Sequence, residues 1–194
     1  METNKKLYTR EDNYIYFGLY PQGTNGEIEP IKWRILSEEN GEALLLSEYI
    51  LDAHRFDEES NNYKDSEIRK WLNNDFYNKA FNDNEKQIIL TIEYTCGNMQ
   101  DKVFLLSVRE VTNPKYGFNE DIDYCDNQRV KKPTAYAIKQ GVDTFIENGC
   151  WWLRSRCIGY IHDYRGFCVD SFGDFIHADV FFDTGIAPAI KIKI

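Results

Sequence analysis

The sequence is sparing with the residues that build metal and disulfide frameworks. Its five cysteines are irregularly spaced with no C-x-x-C pair, and its three histidines, His54, His162 and His177, show no H-x-x-x-H or H-E-x-x-H spacing. That pattern argues against a disulfide-stapled scaffold, a zinc knuckle and a zinc protease. Asp121 and Asp123 lie in an acidic loop that lacks the glycine and terminal glutamate of a calcium-binding EF-hand, so a solvated loop is expected there. No G-x-G-x-x-G, Walker or G-x-S-x-G motif occurs, which leaves phosphate-cradling and serine-hydrolase readings without support. No apolar run approaches the roughly 20 residues of a membrane span, and Met1 to Lys6 opens no signal-peptide core. Basic patches are absent and the net charge is -9, so neither nucleic acid nor an anionic membrane is an expected partner. No cofactor, metal or catalytic set is assigned on these grounds.

What is present is a chain of 194 residues, 42% hydrophobic and 28% charged, long enough to bury a core as one domain spanning residues 1–194. Aromatics reach 15%, with 13 Tyr, 12 Phe and 4 Trp, an excess that needs a use.

The N-terminal stretch reads as strands. Tyr14 to Gly18 stops at the turn cluster Tyr20-Pro21-Gln22-Gly23. Ile31 to Leu36 alternates apolar with polar, and Glu39-Asn40-Gly41-Glu42 turns it into Ala43 to Ser47, a strand buried on both faces. Beyond the polar stretch Asp57 to Lys64, Asp65 or Ser66 caps a helix with Ile68, Trp71, Leu72 and Phe76 on one face. A second helix starts at Asn82 or Asp83 with Glu85 in a capping box, carries Ile88, Ile89 and Ile92, and packs on the first. Val103 to Ser107 reads as a buried strand, and Thr134 to Gln140 as a short helix ended by Gly141. Short strands follow at Trp151–Ser155, Gly166–Val169, Ala178–Val180 and Ala189–Ile194, the last pairing with an N-terminal strand. The fold class is α+β, with mixed and antiparallel sheets and two main helices.

Several of these segments form an ordered set. Phe17-Gly18-Leu19-Tyr20-Pro21-Gln22 comes first, then Ile68-Arg69-Lys70-Trp71-Leu72-Asn73, then Phe104-Leu105-Leu106-Ser107. Trp151-Trp152-Leu153-Arg154-Ser155 and the closing Gly185-Ile186-Ala187-Pro188-Ala189 complete it. Together they resemble a bacterial and phage family of uncharacterised domains, similar in turn to C-type-lectin-like folds and to the variable proteins of diversity-generating retroelements. Two positions depart from the family pattern: Ala187 stands where Arg is common, and Arg156-Cys157 where a Pro-Gly pair is common. The calcium motifs of sugar-binding lectins, Glu-Pro-Asn and Trp-Asn-Asp, are absent, so carbohydrate binding does not follow from the fold.

The retroelement resemblance implies a compositional signature. Mutagenesis of adenines in Asn-type codons yields Tyr, His, Asp, Ser, Cys, Phe, Ile, Arg and Gly, but never Lys, Glu, Gln, Met or Trp. Those five types make up about a fifth of the chain, yet none occurs from Ser155 through Asp183. A β-rich core segment also disfavours Lys, Glu and Gln, but His, Arg, Tyr and Asp together are poor core material. The expected division is therefore a scaffold over 1–154 and a variable ligand-binding region over 155–183. The expected contact residues are Arg156, Ile158, Tyr160, His162, Tyr164, Arg165, Phe175, His177, Asp179 and Phe182. The implied partner is a protein or cell-surface ligand, and the expected location is the cytoplasm or a phage particle. Two alternatives stand beside this reading. One is an enzyme of formylglycine-generating-enzyme-like fold, pairing Cys157 or Cys168 with His162 or His177; the other is an invariant structural or interaction module.

Overall fold

The N-terminal meander follows from locally encoded turns. In the computed structural model, which describes residues 7–94, 99–157 and 164–194, four strands run antiparallel in chain order: β1 (Thr9–Glu11), β2 (Tyr14–Pro21), β3 (Ile28–Glu39) and β4 (Glu42–Ser47). Asn40 (φ 54°) and Gly41 (φ 76°) both take the left-handed conformation of a two-residue hairpin, at the turn the sequence indicates. β2 runs on through Pro21, which pairs with Ile28, and the chain reverses only beyond it. The Gln22 amide closes that turn by donating to the carbonyls of Glu29 and Pro30 at 3.1 and 3.0 Å. β5 (Asp52–His54) then leaves this sheet for another.

Ser66 caps α1 (Glu67–Trp71), its hydroxyl accepting from the Arg69 amide. The helix widens into a π turn over Leu72–Phe76 and returns to α geometry as α2 (Tyr77–Ala80), with Ile68, Leu72 and Phe76 fully buried. α3 (Asp83–Ile88) has the anticipated capping box of Asn82 and Glu85, but it is short and buries no residue. Ile89 leaves the helix to bridge Ile192, and Ile92 enters β6 (Ile92–Glu93), which pairs with β7 (Gln100–Asp101). Strand pairing thus takes Ile89 and Ile92, two of the three isoleucines that periodicity assigned to a helix face packed on the first helix. Only Val103–Phe104 forms β8; Leu105 and Leu106 are buried, but Ser107 already caps α4 (Val108–Val111). α5 (Ala135–Gln140) lies between Thr134 and Gly141 as anticipated, followed by the hairpin of β9 (Thr144–Phe145) and β10 (Asn148–Gly149).

Five further strands complete the described residues: β11 (Trp151–Arg156), β12 (Arg165–Val169), β13 (Phe175–Asp179), β14 (Thr184–Ile186) and β15 (Ala189–Lys193). One sheet has the order β1-β2-β3-β4-β15-β8, the other β13-β12-β11-β14-β5. Pairing is antiparallel apart from β11 with β14 and the isolated bridge Ile50–Pro133. The fold is α+β with mostly antiparallel sheets. The terminal strand does enter the N-terminal sheet, but between β4 and β8 rather than beside the first strands. β2 and β3 are paired on both edges within the meander, whereas β4, buried over Ala43–Ser47, pairs there only with β3 and takes β15 on its second edge.

Successive residues of β11 feed two cores. Trp152 belongs to the core that also holds Trp33, Phe56 and Cys168, while Trp151 and Leu153 belong to the one that holds Leu46, Phe104 and Val169. Trp33, Trp151 and Trp152 are fully buried; Trp71 is half-exposed, its ring 5.2 Å from that of His54. Ala187 is fully buried in the second core. Among the described residues, no helix is long and apolar enough to cross a membrane.

Candidate functional site

The late region is built around the β12–β13 hairpin, whose pairing fixes which side chains share a face. Arg165 lies opposite Asp179, Phe167 opposite His177 and Val169 opposite Phe175; Gly166 opposite Ala178 and Cys168 opposite Ile176 form the other face. The first face grades from wet to dry. At its open end the Arg165 Nε donates to Asp179 Oδ1 at 3.0 Å, with both side chains accessible. In its middle the rings of Phe167 and His177 sit 4.4 Å apart. At its closed end Val169 is fully buried and the Arg129 guanidinium lies 4.6 Å over the Phe175 ring. Phe175, assigned to the contact set from sequence, is therefore placed in packing.

The stem of this region is held by a residue that sequence reading passed over. Asn61, fully buried, donates from Nδ2 to the carbonyls of Cys157 (3.2 Å) and Arg165 (3.0 Å), and its Oδ1 accepts from Arg156 Nε at 3.1 Å. One amide thus ties together both strands flanking residues 158–163. Ile158, Tyr160 and His162 lie outside the described residues. Below the stem, Gly166 faces Trp152 so closely that an added Cβ would stand 2.8 Å from the indole. Trp152 is itself fixed by donation from Nε1 to the His54 carbonyl at 2.9 Å.

The turn joining the two strands is held from outside by Arg129. This fully buried side chain donates to the carbonyls of Val111, Asn119, Asp121, Tyr124 and Gly173. The acidic insertion is exposed over 120–125, as expected of a solvated loop at Asp121 and Asp123, while its backbone carbonyls turn inward onto the Arg129 cation, which supplies the donors they require. Beyond β13, Phe182 is 59% exposed with its ring 4.8 Å from that of Phe181; Tyr164, before β12, is also exposed.

Burial governs the ionisable groups here. It pushes the thiols of Cys150, Cys157 and Cys168 above the ordinary range, the opposite of what a thiolate nucleophile needs. Burial, and then the positive charge of Arg165, lowers His177. Strand alternation also puts Cys168 and His177 on opposite faces of the hairpin. No group of three or more His, Cys, Asp or Glu gathers as a metal site among the described residues.

The polar residues of the recurrent segments converge elsewhere, around residues 101–110. Asn73 Oδ1 accepts from the amides of Lys102 and Val103, and Arg69 pairs with Asp101 at 2.7 Å. Arg154 reaches the Leu105 carbonyl and Glu110, whose carboxylate also closes the Ser107 cap, and Ser155 Oγ accepts from the Val108 amide. These residues therefore knit the scaffold. A family model described as a domain of unknown function, DUF6273, matches residues 40–194. The chain belongs to the DUF6273 family. Its matched stretch opens in the β3–β4 turn and takes in the whole of the second sheet, with β1 to β3 lying ahead of it. No curated protein and no solved structure matches the chain.

Within this DUF6273 domain, two features of the late region had no sequence signal of their own. Asn61 sits in a polar stretch with no periodicity, and its partners lie 96 and 104 residues away. Arg129 resembles any exposed basic residue until the carbonyls around it are seen.

Proposed function

We propose that this DUF6273 domain is a ligand-binding protein of C-type-lectin-like fold. Residues 1–154 would form the scaffold of one domain, and the region from Arg156 to Phe182 would present a diversified contact surface, as retroelement variable proteins do. One observation carries the reading. Arg165, His177 and Asp179 lie toward the open end of one face of a hairpin whose closed end is packed and whose stem is held by Asn61. Side chains at such positions change without disturbing a core. The Arg165–Asp179 pair is accessible enough to be worth about 0–1 kcal/mol, so exchanging it costs the fold little. Tyr, Phe and Arg at Tyr164, Phe182 and Arg156 are the types that supply rigid contact area and directional hydrogen bonds in paratopes. The partner is a protein or a cell-surface molecule, met in the cytoplasm or from a phage particle.

Natural copies of the gene test this directly. Substitutions should gather at Arg156, Ile158, Tyr160, His162, Tyr164, Arg165, His177, Asp179 and Phe182, at codons traceable to template adenines, while Asn61, Trp151 and Trp152 stay fixed. Changes scattered evenly over the two sheets, or a late region as constant as the rest, would contradict diversification.

A further inference from the structure

The other face of β13 borders a cavity of about 440 Å³, a volume suited to a small ligand or a single inserted side chain. Its walls are Val142, Ile176, Ala178 and the exposed ring of Phe182, and the half-buried Cys150 also lines it. The charged residues lining it are Asp143 and Asp183, both exposed and neither in an ion pair among the described residues; no Lys, Arg or His joins them. The negative charge of Asp170 also reaches the Cys150 thiol and adds to its upward shift. An apolar hollow with carboxylates around it favours one ligand chemistry. A neutral or anionic amphiphile could use the walls but not the charges, whereas a cation on an apolar stem uses both, with the Phe182 ring offering a cation–π face.

We propose that this cavity binds an organic cation carried on an apolar stem, either the side chain of a lysine or arginine from a protein partner or a free alkyl- or arylalkylamine. The site does not depend on the outer hairpin face binding anything, since Phe182 alone is common to both.

Cys150 provides the readout, because an occupied cavity shields its thiol. Alkylation of Cys150 by iodoacetamide at about pH 9, where a raised thiol still reacts, is followed by peptide mapping. Phenethylamine and the blocked tripeptide acetyl-Gly-Lys-Gly-amide are compared with phenylpropionate, which keeps the apolar stem and reverses the charge. The amine, the peptide or both should slow alkylation in the millimolar range, and phenylpropionate should not. Protection by the peptide assigns the site to a partner's side chain; protection by phenethylamine alone assigns it to a free amine. The Asp143→Asn/Asp183→Asn variant, altered at exposed positions, should weaken protection at least about threefold with an unchanged melting temperature. Equal protection by phenylpropionate, no protection by either cation, or undiminished protection in the variant would overturn the proposal.

Discussion

At the scale of single residues, the buried polar groups carry more consequence than the exposed ones. Lys131 is 3% exposed and donates from Nζ to the Ser47 carbonyl at 2.5 Å and the Glu48 carbonyl at 3.3 Å. Burial, helped by the charge of Arg34 and opposed by Glu48, lowers its amine to about 7. In the unfolded chain the amine titrates near 10.4. Below about pH 7 both states hold the proton, and the cost of a buried charge is fully present. Between about 7 and 10 the unfolded chain binds a proton that the folded chain does not. Stability should therefore rise with pH across that window by up to about 1.4 kcal/mol per unit. Urea titrations of wild type and Lys131→Met at pH 6.5, 8 and 9.5 isolate the contribution: the variant should lose that slope, and parallel pH profiles would refute the assignment. Asn61 gives a second test. Asn61→Ala leaves the carbonyls of Cys157 and Arg165 without their amide and should cost about 2–3 kcal/mol in chemical denaturation, whereas an exposed asparagine would cost under about 0.5.

At the scale of elements, what was legible was what local chemistry decides. Asn40-Gly41 announces its hairpin, Ser66 and Asn82 their helix starts, and Thr134 with Gly141 the two ends of α5. What was not legible was set by partners distant in sequence. α3 ends at Ile88 because Ile89 finds Ile192, a partner that helical periodicity cannot reveal. β8 is short because Ser107 and Glu110 cap a helix at the point where an apolar run alone reads as continued strand. The close approach of β12 to the Trp152 indole is equally silent, since Gly166 reads only as a pause within a strand. It makes a firm prediction. Gly166→Val should lower stability by about 1–3 kcal/mol through overpacking, seen as an earlier urea midpoint with an unchanged denaturant slope. An unaffected midpoint would mean that the indole yields and that Trp152 does not fix the stem.

At the scale of the whole molecule, the aromatic excess resolves into two populations. Trp33, Trp151, Trp152, Phe56 and Phe76 fill the cores, while Tyr164, Phe181 and Phe182 stand at the surface of the late region. The 155–183 stretch divided less cleanly than its composition suggested. Cys168, Val169 and Val180 are fully buried, and Phe175 packs beneath Arg129. Its missing Lys, Glu and Gln thus reflect strand interior as well as surface, because the packed positions of the hairpin lose those residues for ordinary reasons. The proposed contact surface requires its outward residues to be independent of the scaffold that holds them. Randomising Arg156, Tyr164, Arg165, His177, Asp179 and Phe182 together in a displayed library, and scoring folding by protease resistance, measures that independence directly. Most members should stay folded, while a matched library at Gly166, Cys168, Val169, Phe175, Ile176 and Val180 should largely unfold. Equal loss of folded members from the two libraries would contradict that independence.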